Sequence, residues 1–269
     1  MRKGKTLITI TLGAMVLMAF SSVSAGNWFK RTFGDKGVKG SGDIITEDRD
    51  VKDFTRIETS GSFDVIVEVG EKQNVTLTFD DNLLDLIETR VKGKTLEIYT
   101  DESYRSEYTC KVEITVPKLE GVMTRGSGDF DVRNVNSDRF DCRTRGSGDI
   151  TIGDLNSRIV RCDINGSGDI TVRDMESDFL ECSIHGSGDI TAEGKVDELE
   201  INVSGSGDVD ARDLTAREAT IVVKGSGDVR VRAQESFDGA VYGSGDIAYY
   251  GKPEHISTHV AGSGSIKRR

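Results

Sequence analysis

The chain has 269 residues, 46 acidic against 35 basic side chains, a formal net charge of −11, and 31 glycines against two prolines. So acidic a surface repels nucleic acid and anionic membrane, which excludes the classes of protein that bind either through charge. Few aromatics and many glycines fit a chain of short strands and tight turns, and this length suits one elongated all-β domain better than two globules.

In chain order, Arg2, Lys3 and Lys5 form a basic n-region, an apolar run covers residues 7–20, and Val23-Ser24-Ala25 offers the small residues a signal peptidase reads. That run is shorter than the roughly 18–20 apolar residues of a membrane span. Residues 1–25 are therefore expected to be a cleaved signal peptide, with no membrane insertion after cleavage. Cleavage would take the net charge from −11 to −14 by removing those three cations. Residues 26–50, with an isolated Gly40-Ser41-Gly42-Asp43, are expected to be a flexible lead-in. Residues 51–269 are then one domain.

Residues 51–125 are β-rich without visible periodicity. Phe63-Asp64-Val65-Ile66-Val67-Glu68-Val69, Val75-Thr76-Leu77-Thr78-Phe79, Leu96-Glu97-Ile98-Tyr99 and Val112-Glu113-Ile114-Thr115-Val116 alternate as half-buried strands. Residues 82–91 read as one short helix. These residues are expected to form irregular first coils and a cap over an edge that would otherwise recruit other chains.

From residue 126 the chain repeats. Gly-Ser-Gly begins at Gly126, Gly146, Gly166, Gly186, Gly205, Gly225, Gly243 and Gly262, at intervals of 20, 20, 20, 19, 20, 18 and 19, and seven of the eight copies continue with aspartate. A fixed period near 20 marks a solenoid in which each repeat is one coil. Apolar residues fall at even offsets from the first glycine. Phe140, Val160 and Leu180 lie six before, Ile164, Ile184 and Val203 two before, Ile150, Ile170 and Ile190 four after, and Ile152 and Val172 six after. A further site nine after (Val135, Leu155, Met175, Leu214) marks a third, shorter side. Period-2 alternation predicts two strands per coil with one face buried, stacked into a single-stranded β-helix, right-handed by crossover chirality. The glycines are expected to face a tight interior. Lys267-Arg268-Arg269 would discourage end-to-end stacking.

The pattern resembles the putative auto-transporter adhesin, head GIN domain family. The resemblance rests on Arg49-Asp50-Val51 with Phe54 and Ile57, on Gly61-Ser62-Phe63-Asp64-Val65, and on Ile114-Thr115-Val116-Pro117-Lys118-Leu119 leading into Gly126-Ser127-Gly128-Asp129. It covers the chain from about residue 44 onward. It implies an exported bacterial β-helical domain, common in Gram-negative bacteria, and it supplies no catalytic residues.

Candidate chemistry concentrates in two outward rows. The serines run from Ser127 to Ser244, and the aspartates are Asp129, Asp149, Asp169, Asp189, Asp208, Asp228 and Asp246. Carboxylates one coil apart repel by about 1 kcal/mol in water. Turn hydrogen bonds to glycine amides or serine hydroxyls would offset that, with Arg133, Arg173, Arg212 and Arg232 as screening cations. The alternative is Ca2+ between neighbouring carboxylates, although calcium takes six or more oxygens. Cys142, Cys162 and Cys182 recur where Ile201 and Ile221 stand in later coils, which reads as a buried ladder of free thiols. The coil spacing would also permit a disulfide, and the partner of Cys110 is open. His185, His255 and His259 lack metal spacing. Tyr242, Tyr249 and Tyr250 form either an apolar end or a sugar platform.

The expected function is a non-enzymatic exported module of the periplasm or cell surface. It would hold an envelope polymer, glycan or protein through its regular acidic face. A cation-binding adhesion module is the alternative. A polysaccharide-acting enzyme is disfavoured because coils differing by at most two residues leave no loops for a catalytic cleft.

Overall fold

The computed structural model describes residues 37–108 and 110–269, so the expected signal peptide and residues 26–36 lie outside the described residues. Ten short strands come first: β1 (Val38–Lys39), β2 (Ile44–Asp48), β3 (Arg56–Ser60), β4 (Asp64–Val69), β5 (Asn74–Asp80), β6 (Glu88–Lys92), β7 (Thr95–Tyr99), β8 (Tyr104–Arg105), β9 (Lys111–Val116) and β10 (Gly121–Thr124). Six long ones follow: β11 (Phe130–Thr144), β12 (Ile150–Ile164), β13 (Ile170–Ile184), β14 (Ile190–Val203), β15 (Val209–Val223) and β16 (Val229–Val241). The last rung is split into β17 (Ile247–Tyr250), β18 (His255–Val260) and β19 (Ile266–Arg268). The fold is an all-β solenoid.

Each coil is one long strand rather than the two expected from the alternation. Burial shows why it bends without breaking. In β11 the buried residues alternate through Phe130 and Val132, then slip phase at the exposed pair Arg133 and Asn134, and slip again at Asp138 and Arg139 before Phe140, Cys142 and Thr144. The strand turns at these points while its hydrogen bonds to the next coil continue, Phe130 to Thr144 lying opposite Ile150 to Ile164. The predicted columns hold: Phe130, Ile150, Ile170, Ile190, Val209, Val229 and Ile247 are all buried, in parallel register one above another. Fully burying such a side chain stabilises by about 1.5–3 kcal/mol, and stacking alone achieves it.

The glycines answer to a different constraint from the one the sequence suggested. In the first seven copies the second glycine is buried and the first half-exposed, and none of those in the eight copies has positive φ. A Cβ on Gly168 would lie 2.1 Å from the carbonyl oxygen of Gly148, and one on Gly166 would lie 2.2 Å from that of Gly146. The crowding runs along the stack, coil against coil, and excludes any side chain at this corner. The bridging is dense: the amides of Ser147 and Ser167 donate to the carbonyls of Gly126 and Gly146 at 3.0 Å.

The cysteine column is a run of free, buried thiols, with Cys142 opposite Cys162, Cys162 opposite Cys182, and Cys182 opposite Ile201. The Cys142 and Cys162 sulfurs are 3.1 Å apart. Hydrogen bonding to Cys162, with burial, pushes the Cys142 and Cys182 thiols up. Cys110 is buried by itself, and burial raises it too.

Two expectations about the first half are corrected. Residues 38–48 are not a flexible lead-in within the described part: β1 pairs with β8, and β2 pairs antiparallel with β5. Their anchor is Asp80, only 1% exposed, whose carboxylate accepts from the Gly42 amide at 2.7 Å and the Ser106 hydroxyl at 2.5 Å. The Ser106 hydrogen bond does most to hold this carboxyl below its ordinary value. Residues 82–91 form no helix beyond one 3-10 turn at Leu84–Leu86, because Thr89 and Val91 are needed as β6 opposite Ile98 and Leu96. β5, β9 and β4 lead into the first arm of β11, while β6, β7, β3 and β10 lead into its second. Phe63, Phe79 and Tyr104 fill the cap edge-to-face, with centroids 5.8 and 6.5 Å apart.

Asp141 fastens this region to the regular coils. It is 4% exposed, and Arg56 of β3 and Arg139 both reach it at 3.0 Å. Burial opposes its charge, yet the hydrogen bonds from Arg139 and Arg56 hold its carboxyl below the ordinary carboxylate range.

Candidate functional surface

The serine and aspartate rows face outward, as alternation predicts. The partner of each carboxylate was not foreseen. Asp129 Oδ1 accepts from the backbone amide of Asp149 at 2.8 Å, Asp149 from Asp169 at 2.8 Å, Asp169 from Asp189 at 2.8 Å and Asp189 from Asp208 at 2.7 Å. Asp208 and Asp228 continue the chain to Asp246 at 2.7 and 2.8 Å. Each aspartate thus ties its coil to the next through a charge-assisted hydrogen bond, the strong kind. The amides come from the next aspartate, not from glycines.

The row also extends past both ends of the seven residues. Asp64, in the degenerate Gly61-Ser62-Phe63-Asp64, accepts from the Asp129 amide at 3.2 Å. That copy carried the signal, and Phe63 in place of the second glycine masked it. At the far end Ser265 donates to Asp246 from its amide at 2.7 Å and its hydroxyl at 2.9 Å. These two bonds, the hydroxyl's first, lower the Asp246 carboxyl. Three of the four arginines expected to screen the row are engaged elsewhere: Arg133 pairs with Glu68, Arg212 with Asp210, and Arg232 donates to the Arg212 carbonyl, while Arg173 lies in the same hollow as Asp129 and Asp149.

The other residues singled out from the sequence are dispersed. Tyr249 is buried and stacked on Phe237 at 4.3 Å, Tyr250 lies under Arg232, and Tyr242 is exposed beside His259, so the three tyrosines share no platform. His185 is surface, and among the described residues no group of three or more His, Cys, Asp or Glu could hold a metal ion.

A second surface was not read from the sequence. On another corner, over β12 to β16, a groove of about 600 Å³ is lined by Asn156, Arg158, Glu176, Asp178, Lys195, Arg217, Gln234 and Glu235, among others. Charges of both signs meet across coils, Arg158 and Asp178 at 3.5 Å and Arg217 and Glu235 at 3.2 Å. The repeats lose regularity beside this corner: the register shifts between Val172 and Met175, between Thr191 and Gly194 and between Ala211 and Thr215, at the bend just before the groove, and between Ala216 and Glu218 within it. The clue lay in the intervals of 19 and 18, which the sequence alone could not assign to a corner.

A packed solenoid with one regular carboxylate row and one irregular polar groove defines a β-solenoid repeat protein. The sequence pattern of the family described as "putative auto-transporter adhesin, head GIN domain" matches residues 53–173 and 150–253, and the chain belongs to that family. Among solved structures, it is similar to a putative lipid binding protein from Parabacteroides distasonis, at 32% identity and a TM-score of 0.79, with 86% of this chain and 99% of that one covered. A putative adhesin from Bacteroides fragilis is 27% identical with a TM-score of 0.65, covering 87% of this chain and 100% of that one. One from Parabacteroides merdae, at 20% identity and a TM-score of 0.77 over 86% and 98%, shares the fold. No curated protein matches the chain.

Proposed function

We propose that this protein is a non-enzymatic, adhesin-like interaction module, exported to the periplasm or cell surface, that holds an extended polar partner (a glycan or other envelope polymer, or a peptide) in the groove over β12 to β16. The observation that carries this reading is the contrast in use of polar groups. Every aspartate of the regular row is engaged in joining coils, whereas the groove gathers amide, hydroxyl and charged groups of both signs beside a bend where the register shifts. The acidic face expected from the sequence thereby becomes chiefly a structural seam. The interior is filled by side chains and the groove by polar groups, which favours a polar ligand over an acyl chain. Catalysis would need acids in contrasting environments within a cleft.

Retention on immobilised envelope polymers tests the groove. A Glu176→Lys/Lys195→Glu variant is expected to lose retention while keeping its Tm; unchanged retention would place the interaction elsewhere. The cation alternative is tested separately by calorimetric titration with calcium. Heat of binding together with a raised Tm would return the aspartate row to a binding role.

A further inference from the structure

We propose that copies of this chain associate head to tail, the C-terminal rung of one docking on the N-terminal rung of the next. Among the described residues, at the C-terminal end, β18 pairs only with β16 and β19 only with β17. Positions buried in the long coils are open here. Ile256, in the column of Phe237, is 50% exposed, and Val260, in the column of Val241, is 45% exposed. At the other end, again among the described residues, β2 pairs only with β5 and is exposed along its length, with Ile44 at 39% and Ile45 at 45%. β6 likewise pairs only with β7.

The two ends match in layout. β2 stands on the stack that runs through β5, β9, β4 and the first arms of the coils to β19. β6 stands on the stack that runs through β7, β3, β10 and the second arms to β18. The free edges therefore occupy the same two sides of the coil at both ends. β2 is antiparallel to β5, β5 is antiparallel to β9, and β9 runs with the coils, so β2 has the direction of β19 and can add to it as the next parallel strand. Unpaired edges of this kind are templates for another chain.

Charge decides which ends meet. On the β19 side the tail carries Lys267, Arg268 and Arg269 in succession, while the segment around β2 carries Asp43, Glu47, Asp48 and Asp50 against Arg49. On the other side β18 has no acidic, lysine or arginine residue and β6 carries Glu88, Arg90 and Lys92. The tail cations therefore discourage stacking only of tail on tail, where they meet one another; head on tail sets them against the acids around β2 and covers the open apolar positions at once. Such a contact is heterologous and does not close, so it produces open rows of molecules.

Sedimentation velocity of the full chain, over a concentration series in low and high salt, tests this. The sedimentation coefficient is expected to grow with concentration in low salt and to fall back in high salt. A tail variant (Lys267→Glu/Arg268→Glu/Arg269→Glu) and a head variant (Glu47→Lys/Asp48→Lys/Asp50→Lys) should each associate about tenfold more weakly or less. Mixing the two should restore association, because each then offers the complement of the other. Ile256→Lys, which alters a half-exposed residue, provides a second tail variant that should also associate more weakly. A parent chain that is monomeric throughout, variants that associate like the parent, or a mixture that stays monomeric would overturn the proposal.

Discussion

The Gly-Ser-Gly-Asp corner and the groove corner belong to the same coils, yet they obey different rules. At the first, consecutive backbones approach so closely that a Cβ would sit about 2 Å from the neighbouring carbonyl, and every copy keeps both glycines. Beside the second, β14 has 14 residues and β16 has 13 where the other four long coils have 15, and register slips at the neighbouring bend absorb most of the difference. Strict repetition is therefore a property of contact distance. Beside the groove, where no repeated glycine pair stands, coil length and side-chain chemistry differ from repeat to repeat.

The sharpest way to break this comparison is to add a side chain at the tight corner. Gly168→Val, 2.1 Å from the Gly148 carbonyl, is expected to cost about 3 kcal/mol or more and to lower Tm by several degrees in calorimetry. Glu176→Ala in the groove should stay within about 0.5 kcal/mol. Equal losses would show that the two corners do not differ in tolerance.

Next in size is the junction of cap and coils. Asp141→Ala leaves Arg56 and Arg139 without their shared partner. Both are partly exposed, so the expected loss is about 2 kcal/mol, below the range for a fully buried pair, by urea unfolding. Its pH dependence has a definite sign. The folded carboxyl lies below the unfolded value of about 3.9, so the stabilisation is complete above that value and is lost as pH falls through the folded pKa. Parent and variant should thus converge in stability in strong acid, and Asp80 adds a loss of the same sign.

The smallest effect should come from the aspartate row. Asp169→Asn keeps an acceptor for the Asp189 amide and removes repulsion from its neighbours, so it should be nearly neutral. Asp169→Ala removes the acceptor beside water and should cost at most about 1 kcal/mol. A loss for asparagine as large as that for alanine would mean the charge, not the hydrogen bond, holds the seam.

Much of this was legible from residues alone, and the misses have physical causes. The buried columns of Ile150, Ile170 and Ile190 follow from period-2 spacing within a period of twenty, since a stacked fold turns each repeat position into a column. Residues 82–91 misled because Leu83, Leu84 and Ile87, apolar at helix-like spacing, pack into the cap from a single 3-10 turn and the extended backbone beside it. Asp64 was missed because Phe63 conceals the motif. The groove was invisible because its residues come from five coils and share no motif, only a position on the cross-section.

By itself the sequence determined the winding, the inward columns and the outward rows, because all three depend on spacing along one chain. Tertiary structure decided what crosses between coils: the carbonyl that forbids a Cβ on each glycine, the amide that occupies each aspartate, and the corner where the register gives way. Those depend on distances between residues about twenty apart in sequence, and only the stacked backbone sets them.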